Sequence, residues 1–295
     1  MKKIISLALC LLALVSCFAF VSCGNNGDNN GDNGGNNGGN KGSKNNIGVQ
    51  AGTTGQYFVE GDADWEFEGI EGYTAKPYEN GALAITDMKN GNVSYVIIDK
   101  APAIQLSKKF DGVKVIEVEL TQETYAFGVD KAQPALREAI NNILATRQNE
   151  IKAIIDKYAT GEGITPIESA VKDLNKKDQQ LVIATNAAFP PFEYKDGTKY
   201  AGIDIEIMAM VANELGMELV VEDMEFDAVV GAVGNHGIDV AAAGLSVNET
   251  RAKAVDFTNS YYDAAQVIIV PADCKDFEDC KTAEDIVAKL AELKK

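Results

Sequence analysis

Residues Gln179 to Gly197 read QQLVIATNAAFPPFEYKDG. A charged lead-in, KDLNKKD, is followed by a short apolar run and then a Pro-Pro turn, the pattern of the first strand of a mature secreted domain. The stretch nevertheless lies past the middle of a 295-residue chain, behind sequence that itself reads as folded.

Upstream, ATGEGITPIESAVKDLNKKDQQ is polar and glycine-bearing, which predicts a linker over 159–178. On both sides short β-type runs alternate with helical ones. The strands read IGVQ, SYVIID, VKVIEVEL, YAFGV, LVIAT, LVVEDM, DVAAAGLS and QVIIV. Between them Ile207, Met208, Val211 and Leu215 form one face of a helix that Gly216 ends, and one long helix is predicted from Leu136 to Tyr158 on Ile140, Leu144, Ile151, Ile154 and Ile155. Such alternation predicts an α/β protein with parallel layers rather than a sandwich.

At the front, Lys2 and Lys3 precede an apolar run from Ile4 to Val21, the charge and length pattern of a secretory signal over 1–22. The alternative, a spanning anchor, is barely allowed, since such helices want about 20 apolar residues. FVSC and LVSC both resemble the bacterial lipobox, which makes Cys23, or else Cys17, the expected lipidation site. Gly, Asn and Asp dominate 23–46, a composition that buries too little apolar area to offset the entropy of folding, so a tether is expected. A formal charge of −17 argues against nucleic acid or anionic lipid as a partner. Cys274 and Cys280, spaced as DCKDFEDC, allow a short disulfide loop in an oxidising compartment, with two free thiols as the alternative. With a single distant His236 they do not complete a metal site, so no metal and no cofactor are expected.

Three places put polar groups at the carboxyl end of a predicted strand, where open α/β sheets bind ligands. In AAAGLSVNETR the strand ends at Gly244 and Ser246, Asn248 is placed to cap the next helix, and Arg251 falls in its first turn, a set suited to a carboxylate. A solvated surface arginine is the plain alternative. In IGVQAGTTGQY a Gly-Thr-Thr-Gly turn offers backbone N–H groups and the hydroxyls of Thr53 and Thr54. In SYVIIDKAPA, Asp99 closes an apolar strand, where a carboxylate needs a cation or serves as a helix cap. One arginine and one aspartate match the two charges of a free α-amino acid, with Phe189 and Phe226 to flank its side chain. His236, in a GNHG turn, reads as solvated, Trp65 as a packing residue, and no catalytic constellation is visible.

These segments resemble the polar amino-acid solute-binding proteins of ABC importers: LVIATNAAFPPFEY, YAGIDIEIMAMVANELGM, AAGLSVNETRAKAVDFTNSYYDA, IGVQAGTTG, YVIIDKAPA and ETYAFGVDK. The resemblance covers nearly all of the folded chain but in a different order. The segment resembling Gln179–Val270 usually comes first, so the sequence resembles a circular permutant joined through 159–178 and reopened before IGVQ.

The resemblance implies a two-lobed, type II periplasmic-binding-protein-like fold with the ligand cleft between lobes, one built from 46–123 plus 271–295 and the other from 126–268. It assigns the ligand's carboxylate to Arg251 with N–H groups of Ser246 and Thr54. The ammonium goes to Asp99, with the Gly244 carbonyl and the Ser246 hydroxyl. Phe189 and Phe226 flank the side chain, and Asn186, Gln50 and Ile98 are specificity positions. The expected function is capture of a free polar L-amino acid by a monomeric, lipid-anchored extracytoplasmic protein that serves an ABC permease. The alternatives are a cyclohexadienyl-dehydratase-like enzyme using Glu193 as acid and a ligand-sensing domain.

Overall fold

The computed structural model describes residues 45–294; the signal-like run, Cys17, Cys23 and the tether through Lys44 lie outside the described residues. β1 (Asn46–Gln50), β2 (Thr74–Tyr78), β3 (Tyr95–Asp99) and β4 (Val113–Ile116) alternate with α1 (Thr54–Glu60), α2 (Gly81–Lys89) and α3 (Lys100–Ser107). The chain then leaves this sheet through β5 (Glu123–Tyr125) and enters a second one as β6 (Gly128–Val129). Helices α4 (Pro134–Thr146) and α5 (Gln148–Thr160) lead to β7 (Gln180–Thr185) and to a small antiparallel sheet of β8 (Ala188–Phe189), β9 (Glu193–Asp196) and β10 (Lys199–Ala201). There follow α6 (Ile203–Glu214), β11 (Glu218–Asp223), α7 (Phe226–Ala232), β12 (Val240–Ala241), α8 (Glu249–Ala252) and β13 (Asp256–Phe257). A second crossing strand, β14 (Tyr262–Ala264), pairs antiparallel with β5 and returns the chain to the first sheet, where β15 (Gln266–Pro271) and α9 (Ala283–Leu293) complete it.

The two five-stranded sheets share one plan, β2-β1-β3-β15-β4 and β11-β7-β12-β6-β13. Each has three parallel strands followed by an antiparallel strand that arrives straight from the crossing pair, then an edge strand. β7 and β15 are apolar and almost wholly buried, as strands covered on both faces must be.

Three expectations need correction. The lobe boundary does not fall at 268–271: β15 belongs whole to the first sheet, Gln266 opposite Asp99 and Ile268 opposite Ile116, so the crossing ends at Ala264–Ala265. The single helix 136–158 is two helices. Arg147, at φ −107° and ψ 24°, leaves the helical ladder, and its guanidinium binds Glu150 at 2.9 Å and also Glu214. β2 was not foreseen because TAKPY carries Pro77, which lacks a ladder N–H; the strand lies at the sheet edge, where proline is tolerated.

The linker is pinned rather than loose. Ile167 pairs with Tyr200 through two backbone bonds of 2.7 and 2.9 Å, Ala170 N donates to Leu219 O at 2.9 Å, and Ser169 Oγ accepts from Val221 N at 2.9 Å. It therefore runs along the outer rail of β11.

Beneath it, Tyr158 of α5 is buried, donates its hydroxyl to Glu206 at 2.7 Å and accepts from Gly202 N at 2.8 Å. Gly202 sits at φ +137°, and a Cβ there would lie 1.9 Å from Phe192 O. Gly202→Ala is therefore expected to cost on the order of 3 kcal/mol or more in urea-melt stability, from strain and backbone displacement together. A loss within the range of ordinary surface substitutions contradicts this account.

Candidate functional site

The parallel strands β1, β3, β7 and β12 all end toward the same cleft, as in open α/β sheets. Two hydrogen bonds cross it, from Gln50 Nε2 to Asn186 Oδ1 at 3.0 Å and from Arg251 Nη2 to Gly52 O at 3.1 Å, and the Thr54 and Ser246 hydroxyl oxygens face each other across it at 3.2 Å. Residues separated by more than 130 positions are thus brought face to face.

Arg251 is the only cation buried among the described residues. Asn248 caps α8 by accepting from Arg251 N at 2.8 Å, as its sequence position suggested, and this fixes where the guanidinium emerges. Nη1 donates to Ser246 O at 2.9 Å, and the Trp65 and Phe226 ring centroids lie 5.1 and 5.3 Å from Cζ. Burial lowers its pKa, and the charges of Glu123 and Asp99 oppose that effect.

Asp99 is not a helix cap: it stands at the N-cap of α3 without a side-chain cap bond, and its carboxyl instead accepts from the Tyr125 hydroxyl. Burial, then the nearby Glu123 charge, pushes Asp99 up to about 7. Asp204, which accepts from Gly244 N at 2.9 Å and from Tyr261 OH at 2.5 Å, is also pushed up to about 7 by burial. Glu193 is wholly buried, neither of its oxygens has a partner, and burial with the charge of Asp204 holds it well above the usual carboxylate range.

Most of the expected residues meet here. Asn186, buried, also donates to Met224 O at 2.8 Å, and Gln50 keeps Oε1 unpartnered. Phe189 is buried against Gly244, whose φ of +54° disfavours a side chain and where an added Cβ would lie only 3.0 Å from that ring. Ser246 lies between two backbone bonds, Ala126 N to Leu245 O and Val247 N to Thr124 O, which leave its own N–H out of the pairing. Two do not take their expected parts. Thr53 spends its hydroxyl on Gln50 O at 2.8 Å, closing the turn, and only Thr54 faces across. Ile98 points away from the cleft, against Gly81 at the start of α2, and is a core residue.

Three residues were missed. Trp65 stacks on Tyr57 at 4.7 Å and roofs Arg251. Tyr125 serves Asp99. Glu123 accepts from Thr54 Oγ1 at 2.7 Å, from the Ser246 hydroxyl, from Thr121 Oγ1 at 2.6 Å and from Gln266 Nε2 at 3.1 Å. The only local hint was ETYAFGV, a charge directly before a buried run. His236 is exposed in its turn. The expected Cys274–Cys280 disulfide is corrected: both thiols are free, Cys280 buried in a cluster with Phe277 and Ile286, and Cys274 facing Asp276 at 3.6 Å.

Residues 181–295 match the bacterial extracellular solute-binding proteins, family 3. The arginine-binding extracellular protein ArtP of Bacillus subtilis is 34% identical over 95 residues, which is 32% of this chain and 37% of that protein. The L-arginine-binding protein of Pseudomonas aeruginosa is 33% identical over 88 residues, 29% of this chain and 34% of its own length. The chain thus spans little more than a third of these curated relatives. Among solved structures, the arginine-bound form of domain 1 from TmArgBP is 30% identical, with a TM-score of 0.29 over 42% of this chain and 100% of that one.

The buried carboxyls generate a pH dependence whose sign is fixed. Asp99 and Asp204 titrate near 7 when folded and near 3.8 when unfolded, so the unfolded chain releases its protons first as pH rises. Their contribution to stability is full below pH about 4 and is lost progressively toward 7. Asp87, held down to about 2 by Lys76, acts below that window. The melting temperature is expected to fall between pH 4 and 7 and to fall less steeply in Asp204→Asn; identical slopes in the two proteins overturn the assignment.

Proposed function

We propose that the chain, whose residues 181–295 match the bacterial extracellular solute-binding proteins of family 3, is an extracytoplasmic receptor that closes two lobes on a free polar amino acid and delivers it to an ABC importer. The observation that carries this reading is the pairing of opposite demands across one cleft. Arg251 suits a carboxylate together with the Thr54 and Ser246 hydroxyls, the latter moved from its expected part at the ammonium because it faces Thr54 beside the guanidinium, and Asp99 at the end of β3 suits an ammonium. Phe189, Phe226, Asn186 and Gln50 then surround the side chain. The arginine in the names of both relatives, the negative cleft and the unpartnered Gln50 Oε1 support a donor-rich ligand, so L-arginine is the first probe.

Each lobe group loses water on closure and regains partners only when the ligand's two charges arrive, which is how binding favours the closed state. The same reading makes the chain a circular permutant. Its support is the shared strand plan of the two sheets and the meeting of both described ends at one segment: Asn45 O accepts from Thr74 N at 2.9 Å, and Lys294 reaches Glu71 at 2.7 Å. Lipidation at Cys23 and a tether through Asn46 would hold such a receptor at the membrane and keep it mobile near a permease. A dehydratase on this fold needs an acid that reaches the cleft; the complete burial of Glu193 favours binding over that chemistry.

Calorimetry against the twenty amino acids, with prephenate and arogenate assayed for aromatic product, tests the reading. Arg251→Ala is expected to weaken binding by at least about 30-fold, because the ligand carboxylate then enters a dry cleft without its cation. Absence of binding, or binding indifferent to Arg251→Ala, overturns the proposal. Since the ammonium needs ionised Asp99, affinity is expected to be full above pH about 7 and to weaken by up to about tenfold per unit below it. A flat profile from pH 5 to 8 removes Asp99 from the ammonium site.

A further inference from the structure

We propose that Glu123 is the chain's own substitute for a ligand carboxylate: in the unliganded protein its side chain clasps the two lobes through Thr54 and Ser246, and an incoming amino acid must displace it. For the ligand this rests on the reading above; for the clasp it does not.

Glu123 opens β5, one of the two strands by which the chain crosses between the sheets. A carboxylate offers about four acceptor sites, and four donors use them here. Oε1 takes Thr121 Oγ1 at 2.6 Å and Gln266 Nε2 at 3.1 Å, both from its own side of the crossing. Oε2 takes Thr54 Oγ1 at 2.7 Å from the first lobe and the Ser246 hydroxyl from the second. That hydroxyl pair is the one facing across the cleft beside Arg251. An internal anion therefore already occupies the hydroxyl pair beside Arg251, without pairing directly with the guanidinium, at a point where the two lobes meet.

The charge arrangement agrees. Arg251 feels Glu123 as its strongest charge partner, ahead of Asp99. A second carboxylate arriving there would confront Glu123 at short range, where like charges are strongly unfavourable. The side chain has somewhere to go: it is only half-buried, and it borders an open cavity of about 980 Å³ shared with Trp65, Gln122 and Asn248. Displacement breaks the two lobe-spanning bonds of Oε2 and replaces them with those of the ligand, leaving the count of hydrogen bonds across the cleft unchanged. Specificity follows from this exchange, because a ligand without a carboxylate cannot take over the hydroxyl pair.

The test compares wild type with Glu123→Ala and Glu123→Gln, each checked for a cooperative melt. Small-angle scattering of the ligand-free proteins reads the clasp; both variants are expected to show a larger radius of gyration than wild type, and unchanged scattering overturns the clasp whatever binds. Calorimetry with L-arginine and L-argininamide reads the displacement. If Glu123 holds the subsite in nine of ten molecules, its removal tightens arginine by about tenfold and leaves argininamide within about twofold. Weaker or unchanged arginine binding in the variants overturns the displacement. Failure of arginine to bind any of the three proteins overturns the displacement and counts against the amino-acid reading, while the scattering still decides the clasp. Should Glu123→Ala not fold, Glu123→Gln carries both measurements, since the amide keeps the shape and loses the charge.

Discussion

A guanidinium taken out of water must be repaid by groups fixed around it, and the arrangement of both lobes answers to that demand at Arg251. Its faces are covered by Trp65 from the first lobe and Phe226 from the second. Its edges meet Ser246 O on one side and Gly52 O on the other. No single lobe supplies this set. The interior around it is richer in acid than in base: Asp99, Glu193 and Asp204 are all pushed upward. With one cation among them, burial is answered partly by protonation and partly by the tyrosine hydroxyls of Tyr125 and Tyr261.

The two sheets make that convergence possible because each repeats one strand plan. Three parallel strands send their carboxyl ends to the cleft, and one antiparallel strand ties each sheet to the crossing pair. β5 and β14 lie side by side, so the connections between lobes bend as one ribbon. Residues at their ends, Glu123 and Tyr125 among them, are placed at the cleft beside Thr54, Ser246 and Asp99 by the topology itself.

What was legible in the sequence was local. Asn248 as a cap, Gly244 at a close approach, Arg251 behind them and Asp99 at a strand end each follow from spacing within a few residues, and the structure sets them around one cleft. The apolar runs of β1, β3, β7 and β15 were visible for the same reason. What escaped reading depends on distant partners. Trp65 looked like packing because Arg251 lies far along the chain, and Glu123 drew no reading because three of its four donors come from distant segments. β2 hid behind Pro77, and the break at Arg147 is set by its partner Glu214 on another helix. Ile98 was assigned from the resemblance alone; a strand end alternates between cleft and core, and its side chain took the core.

The linker over 159–178 has a role beyond joining segments. A sheet edge such as β11 presents unpaired N–H and C=O groups, a template on which another chain can add a strand. Here Ser169 and Ala170 occupy donors and acceptors of Leu219 and Val221. The segment thereby acts as a bandage on that edge, leaving fewer free backbone groups on which the edge of a neighbouring molecule could build.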